Sequence, residues 1–504
     1  MFNYPDILPY QLEEIINQSA KAFTLYKQYS LQQRAKLLYA TAYNLQQAEK
    51  DIIKIAVTET HLSPPRLKTE LSRTCWQLNS YADYCKSGQW MDIRIDNAGK
   101  GKNTTDLRKM QIPLGPVAIF GAANFPLAYS TAGGDTACAL AAGCTVIVKA
   151  HPAHAQSSQL IADIIAATLI ELKMPKNIFQ HLHGVSKEIG KALVSHPLIK
   201  AVGFTGSFKG GKQIFDWGQQ RPEPIPVFAE MSSVNPVFIL QEKLITEAEE
   251  YAKLLAASIN SSTGQFCTCP GIIVGINNDS FNNFIVALST NFSSYAAAQM
   301  LNQGIFENYQ STMQSILQQQ AVQKIEIPKA KALPNEALPV LAMVNAQDFI
   351  LNPSLMQEVF GPFCLMVKCT DYAEMLLVAQ HMQGQLTATI IASENEMNVH
   401  KDLIDSMKTL CGRIIFNAVP TGVQVSLAMQ HGGPYPATTD SRFTAVGADA
   451  IKRFCRPIAY QNWPNNHLPE KIKNENPLQL WRTVSNFDFS LMARQILTNK
   501  EMNK

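Results

Sequence analysis

Three side chains in this sequence of 504 residues have the types and settings that acyl chemistry needs. Cys267 lies in Ser261-Ser262-Thr263-Gly264-Gln265-Phe266-Cys267-Thr268, a stretch of small residues that lets backbone come close to a bound molecule. A thiolate held there is a candidate nucleophile. Glu230 closes the apolar run 226–229, where partial desolvation would raise its pKa toward a base useful near neutrality. Asn124 follows the run 116–120, and an amide at a strand's carboxyl end can donate to a developing oxyanion. Each also has a plain structural reading: a buried small thiol, a solvated strand-end carboxylate, a turn residue before Pro126.

Two further stretches look able to hold a cofactor. Thr205-Gly206-Ser207 follows the run 201–204 and opens a helix pattern, so free N–H groups there would attract phosphate. Residues 206–213 also come within one residue of a P-loop, failing at Gln213, where a hydroxyl would be needed for Mg²⁺. A nucleotide hydrolase is therefore a competing reading. In Gln357-Glu358-Val359-Phe360-Gly361-Pro362, a carboxylate for vicinal sugar hydroxyls stands two places from an aromatic that could pack on a flat ring. Cys267-Thr268-Cys269 is a lone C-x-C pair with no nearby His, so no metal site is expected.

The elements that must position these residues follow from periodicity. The first ninety residues read as helices, with Leu12, Ile15, Ile16, Ser19 and Phe23 on one face and a Ser30/Gln33 capping box. Residues 91–113 alternate polar and apolar around a turn-rich centre, which predicts a protruding hairpin awaiting a partner strand, and hence an oligomer. From 116 to 240 short apolar runs alternate with helical patterns, which predicts a doubly wound parallel sheet. Ligands bind such sheets at the strands' carboxyl ends, here 121–125, 149–154, 205–211 and 230–233. A second α/β region, from about 237 to 453, has apolar runs at 272–275, 364–368, 388–392 and 413–416.

Charge and composition narrow the class. A net charge of +3, from 43 Lys+Arg against 40 Asp+Glu, provides no basic stripe for nucleic acid. No apolar segment is long enough to span a bilayer, no signal peptide is recognisable, and the 10 cysteines form no disulfide framework. A cytoplasmic enzyme without membrane or nucleic-acid partners is expected.

Taken together and in this order, the motifs resemble the aldehyde dehydrogenase superfamily over nearly the whole chain. The resemblance implies Cys267 (in GQFC) as nucleophile, Glu230 as general base and Asn124 (in NFP) as oxyanion donor. It implies NADP or NAD as cofactor, held by Lys149, by the Gly206, Ser207 and Gly211 phosphate turn, and by Glu358 and Phe360. Phe125, Phe266 and Thr268 are candidate walls of the aldehyde tunnel. The stretches HGGPYPATTDSRF (431–443), RPIAYQN (456–462), VKAHPAH and GQFCTCP are similar to the branch that oxidises α-ketoglutarate semialdehyde (2,5-dioxopentanoate). A broad-specificity or fatty aldehyde dehydrogenase is the alternative. A CoA-acylating relative would lack the base that Glu230 supplies.

The implied fold is a Rossmann-like cofactor domain (1–90 and 114–235), a catalytic α/β domain (236–453), and an oligomerisation hairpin with tail (91–113 and 454–504). That hairpin would pair with a strand near 455–463, in a homodimer or homotetramer. The chain departs from the family at Ala123, commonly Trp, and at EMSSVN, often ELGGK. It departs also at Pro152, acidic in many NAD-preferring relatives. A carboxylate at 152 would repel a 2′-phosphate, so its absence favours NADP.

Overall fold

The computed structural model describes residues 4–98, 105–327 and 332–485. The turn of the expected hairpin and the end of the tail fall partly outside these residues.

Five strands form one parallel sheet in the order Phe179–Leu182, Val146–Lys149, Val117–Phe120, Ala201–Thr205 and Val227–Glu230. Alternate residues of these strands point into two different cores. Val117, Ile119, Val146 and Val148 join the core shared with the N-terminal helices, while Ala118, Phe120, Ile147 and Val202 join the core on the other face. Burial on both faces explains why the strands read as unbroken apolar runs. The chain winds outward from Val117–Phe120 in both directions, so the topological switch point falls between it and Ala201–Thr205. Asn124 and the Gly206-Ser207 turn flank that crevice.

The second sheet has seven strands in the order Gln323–Ile325, Val340–Asn345, Phe363–Cys369, Ile272–Ile276, Val237–Ile239, Gln385–Ile391 and Cys411–Phe416. All neighbours are parallel except the first pair. The run near 236–240 belongs to this sheet. The strands at 323–325 and 340–345 were not predicted.

The N-terminal helix Pro9–Tyr26 buries Leu12, Ile16, Ser19, Ala22 and Tyr26, leaving Ile15 and Phe23 at its margin. The next helix, Leu31–Gln47, starts at the expected box: Ser30 Oγ accepts from the Gln33 N–H (3.1 Å), and Gln33 Oε1 from the Ser30 N–H (2.9 Å).

In the hairpin, Arg94–Asp96 pairs antiparallel with Leu107–Pro113. Its partner strand comes from the same chain: Cys455–Gln461 runs antiparallel to Leu107–Pro113, and Thr483–Ser485 runs parallel to Arg94–Asp96. The hairpin therefore does not wait for a second copy; among the described residues the two outer strands of this sheet, Cys455–Gln461 and Thr483–Ser485, each keep one unpaired edge.

Candidate active site

Cys267 is reached through a loop whose backbone is heavily constrained. Ser262, Thr263 and Gly264 all have positive φ (48°, 57° and 67°), a run of left-handed residues. Glycine at 264 is required twice over, since a Cβ there would also lie 2.2 Å from the Gly361 carbonyl carbon. That contact joins the thiol loop to the Glu358 segment. On the other side, the buried Asn235 amide donates to the carbonyls of Cys267 (2.9 Å) and Cys269 (3.0 Å), clamping the peptide groups around Thr268. The Thr268 hydroxyl is buried without a partner.

Glu230 ends the edge strand of the five-stranded sheet, and a crossing segment covers that edge. Thr438 bridges Glu230, the Met231 N–H donates to the Ala437 carbonyl (2.8 Å), and the Ala229 N–H donates to Thr439 Oγ1 (2.9 Å). The same segment begins with His431-Gly432-Gly433 and crosses the ends of the second sheet. A Cβ at 433 would lie 2.0 Å from the Gln385 carbonyl oxygen, so only glycine admits this approach.

The crossing delivers a residue the sequence reading did not assign. His431 Nε2 lies 3.0 Å from Glu230 Oε1 and 3.7 Å from Cys267 Sγ, deep in the protein. The ligating atoms of Glu230, Cys267 and His431 all fall within 4.8 Å of one another. The HGGPYPATTDSRF stretch was visible, but only as a mark of a branch. His431 stands 201 residues from Glu230 and 164 from Cys267, so no local pattern linked them.

The electrostatics differ from expectation at Glu230. Burial alone would raise its pKa, but the His431 imidazole, the Cys267 thiol and Arg453 outweigh it and hold the carboxyl below its usual range. Glu230 Oε2 remains buried without a partner. The Cys267 thiol is pushed well above its usual range, by burial first, then by the Glu230 and Glu358 carboxylates. Burial also raises Glu358 to about 7, although the Ser232 hydroxyl and Ser233 N–H pull the other way.

Asn124 comes to the same place. Its Nδ2 donates to the Gln265 carbonyl at 3.1 Å, leaving the second amide hydrogen available. Phe125 and Phe266 meet edge to face at 5.1 Å, forming one aromatic wall. Phe266, Glu358 and Phe360 line a crevice running from this wall.

The remaining expected cofactor positions lie along the carboxyl edge of the five-stranded sheet. Ser207 Oγ caps the helix Phe208–Gln219 by accepting from the Gly210 N–H (3.2 Å), and the Gly206 N–H donates to the Glu230 carbonyl (3.0 Å). Gly206 and Ser207 are exposed, whereas Gly211 is buried against Met231 and serves helix packing, not the open turn. Lys149 ends its strand with Nζ donating, among the described residues, to the Ala150 carbonyl (3.3 Å); burial lowers its pKa and Asp6 counters it. Lys212 is held by Asp216 (2.6 Å), which leaves the P-loop reading without its lysine.

An exposed helix start at the switch point, a half-buried carboxyl beside the thiol and an aromatic-lined crevice fit a nicotinamide dinucleotide. All ten cysteines are free, and among the described residues no helix is long and apolar enough to cross a membrane.

Residues 2–456 match the aldehyde dehydrogenase family. The chain is 42% identical over 480 residues to the α-ketoglutaric semialdehyde dehydrogenase of Acinetobacter baylyi, covering 94% of this chain and 91% of that protein. It is 40% identical over 464 residues to α-ketoglutaric semialdehyde dehydrogenase 2 of Azospirillum brasilense, covering 92% and 88%. The fold is similar to that of an NADP-complexed glyceraldehyde-3-phosphate dehydrogenase from Methanocaldococcus jannaschii, with a TM-score of 0.78 at 17% identity over 92% and 96% of the two chains. It is also similar to a Thermus 1-pyrroline-5-carboxylate dehydrogenase with bound NAD, with a TM-score of 0.77 at 18% identity over 91% and 86%. The chain belongs to the aldehyde dehydrogenase family and is an oxidoreductase of that class.

Proposed function

We propose that the protein oxidises α-ketoglutarate semialdehyde to α-ketoglutarate, with Cys267 as nucleophile, Glu230 as general base and Asn124 as oxyanion donor. The observation that carries this reading is the convergence of Cys267, Glu230 and His431 within 4.8 Å, beside the Asn124 amide. The substrate comes from the two relatives at 42% and 40% identity.

The Cys267 thiol gives its proton to the His431 imidazole, which leaves Glu230 ionised, and the sulfur attacks the aldehyde carbon. The oxyanion that forms is stabilised by the free Asn124 N–H and the Cys267 backbone N–H. A nicotinamide held by Glu358 and Phe360 would supply the hydride acceptor that takes the carbon attached to sulfur to the thioester level on Cys267. Glu230 then takes a proton from water; the water oxygen adds to the thioester carbon, the C–S bond breaks, and the carboxylic acid leaves. His431 Nε2 stands between carboxylate and sulfur, so the proton it takes from the thiol stays beside the Glu230 charge and returns to the sulfur when the C–S bond breaks.

The coenzyme site comprises Lys149, Gly206 and Ser207 from a cofactor domain of 1–90 and 114–235, with Glu358 and Phe360 from the 236–453 domain that also carries the nucleophile. NADP is the preferred coenzyme: Pro152 offers no charge, and Asp6 near Lys149 has Oδ1 occupied by the N–H groups of Val185 (2.7 Å) and Ser186 (3.4 Å). The free edge of Cys455–Gln461 supports a homodimer or homotetramer, and ten free thiols support a cytoplasmic setting. The apolar wall of Phe125 and Phe266 favours a second reading, a broad-specificity or fatty aldehyde dehydrogenase.

Reduction of NADP and NAD at 340 nm separates the readings. A strong preference for α-ketoglutarate semialdehyde over succinate semialdehyde and a medium-chain aldehyde supports the first. Equal use of all three supports the second. Cys267→Ala and Cys267→Ser lose nearly all turnover; full activity in both would overturn the nucleophile.

A further inference from the structure

Three guanidinium groups stand around the approach to the Cys267 sulfur, and they are not equivalent. Arg66 stacks on Phe125 (4.6 Å to the ring centroid) and Phe266 (5.3 Å), but its charge is met by the buried Glu70 carboxylate at 2.7 Å. Arg73 donates from Nη2 to the Tyr129 hydroxyl (3.1 Å), from Nη1 to Gln77 Oε1 (3.2 Å) and from Nε to the Val423 carbonyl (3.4 Å). Arg413 donates from Nη2 to the carbonyls of Pro420 (3.0 Å) and Gly422 (3.3 Å) and from Nη1 to the Gly422 carbonyl (3.3 Å) and Met429 Sδ (3.8 Å), and among the described residues its buried Nε has no partner. Among the described residues, the arginines in ion pairs are Arg66, Arg94, Arg108, Arg442 and Arg453; Arg73 and Arg413 are in none, and of the two only Arg73 feels a carboxylate, that of Glu70, beyond ion-pair distance.

These two cations grip one loop, Arg73 at Val423 and Arg413 at Pro420 and Gly422. Tyr129 ties them to the reacting centre. Its ring lies 6.3 Å from that of His431 and 5.3 Å from that of Phe125, and both cations act on the Cys267 sulfur through space. Burial draws Arg413 below its usual range, as happens when no counter-ion offsets desolvation. Two half-buried cations outside any ion pair would be a cost to a site built for uncharged aldehydes. They become an asset when the substrate brings a carboxylate, which the planar guanidinium fork binds through paired hydrogen bonds.

We propose, on the reading of Cys267 as the nucleophile, that Arg73 and Arg413 form the carboxylate-recognition end of the substrate tunnel. They select aldehydes that carry a carboxylate at the far end of the molecule. The Tyr129 hydroxyl and the 420–423 loop position the two forks, and Arg66, already neutralised, contributes wall and not charge.

The test compares Arg73→Gln and Arg413→Gln with the unaltered enzyme on α-ketoglutarate semialdehyde and on pentanal, which has the same length without the charge. The ratio of the two kcat/KM values falls roughly ten- to hundredfold in each variant, chiefly through KM for the anionic substrate. Arg413→Lys recovers part of the ratio, since it keeps the charge and loses the fork. Calorimetric binding of α-ketoglutarate to the Cys267→Ala protein weakens by a similar factor when either arginine is replaced, a readout independent of turnover. If a Gln variant does not fold, the Lys variants carry the test, and the ratio must still fall. An unchanged ratio overturns the clamp and leaves the aldehyde dehydrogenase intact; absence of turnover with every aldehyde overturns the nucleophile reading as well.

Discussion

Replacing Glu230 by Gln separates two roles that a carboxylate beside a thiol could play. If Glu230 is the resting base for the thiol, its loss slows every reaction of Cys267. If it acts chiefly as a fixed negative charge until the thioester forms, its loss makes the resting thiol more reactive. The structure favours the second outcome, because Glu230 and Glu358 raise the thiol after burial does. With the two groups no more than 4.8 Å apart, one full charge at an effective dielectric constant of about 20 is worth about 3.5 kcal/mol. Loss of that charge lets the thiol pKa fall and favours the thiolate by the same amount. The thiolate fraction near neutral pH then rises about 300-fold, while its intrinsic nucleophilicity falls about 13-fold at a Brønsted coefficient of about 0.45. Alkylation of Cys267 by iodoacetamide in the coenzyme-free protein should therefore be about twenty times faster in Glu230→Gln. Mass spectrometry of the Cys267 peptide gives the rate, and steady-state assays should show turnover lost in the same protein. Slower alkylation than in the unaltered enzyme would refute this account and make Glu230 the base for the first step.

His431→Gln keeps a donor for Glu230 but no basic nitrogen, so kcat/KM should fall by roughly 100- to 10,000-fold if the imidazole moves the proton; turnover near the unaltered level would make His431 a spacer. Glu358 titrates at about 7, and ribose hydroxyls need its charged form, so the coenzyme KM should rise as pH falls through that value and flatten in Glu358→Gln. The sign for stability is opposite: with its pKa raised from 4.5 to about 7, Glu358 favours the folded coenzyme-free protein most below pH 4.5 and loses that contribution as pH rises through 7. The melting temperature of Glu358→Gln should accordingly exceed that of the unaltered protein more at alkaline than at acid pH. Gly264→Ala combines a left-handed φ with a 2.2 Å clash against backbone, so it should destabilise by about 2 kcal/mol or more; denaturant unfolding tests this.

The sequence carried most of the scaffold because both sheets are buried on two faces, which turns each central strand into an apolar run that needs no alternation to be seen. All four ligand-binding stretches predicted from strand ends do lie at the carboxyl edge of the five-stranded sheet. The edge elements were harder. Gln323–Ile325 is short and half polar, with burial falling mainly on its neighbour. The site was legible where a residue terminates a strand, as Glu230 does, or sits in a motif, as Cys267 and Asn124 do. It was not legible where a long crossing brings residues in from afar. His431, Arg413 and Tyr129 meet only because the 429–446 segment spans the ends of both sheets, and no spacing along the chain encodes that. The sign of the Glu230 shift failed for the same reason: the strand end predicts desolvation, but not the imidazole that outweighs it.

The left-handed run at Ser262, Thr263 and Gly264 has a meaning for the history open to this loop. Ser262 and Thr263 each occupy a conformation that costs on the order of 1–3 kcal/mol for a residue with a side chain. Exchange of Thr263 for glycine would relax the loop in the folded state but loosen it in the unfolded chain, so neither direction of drift is free. At Ser262 and Thr263 the constraint is thus on backbone shape. Sequence variation there would record how firmly the loop is clamped by Asn235 and Gly361 rather than which aldehyde is used.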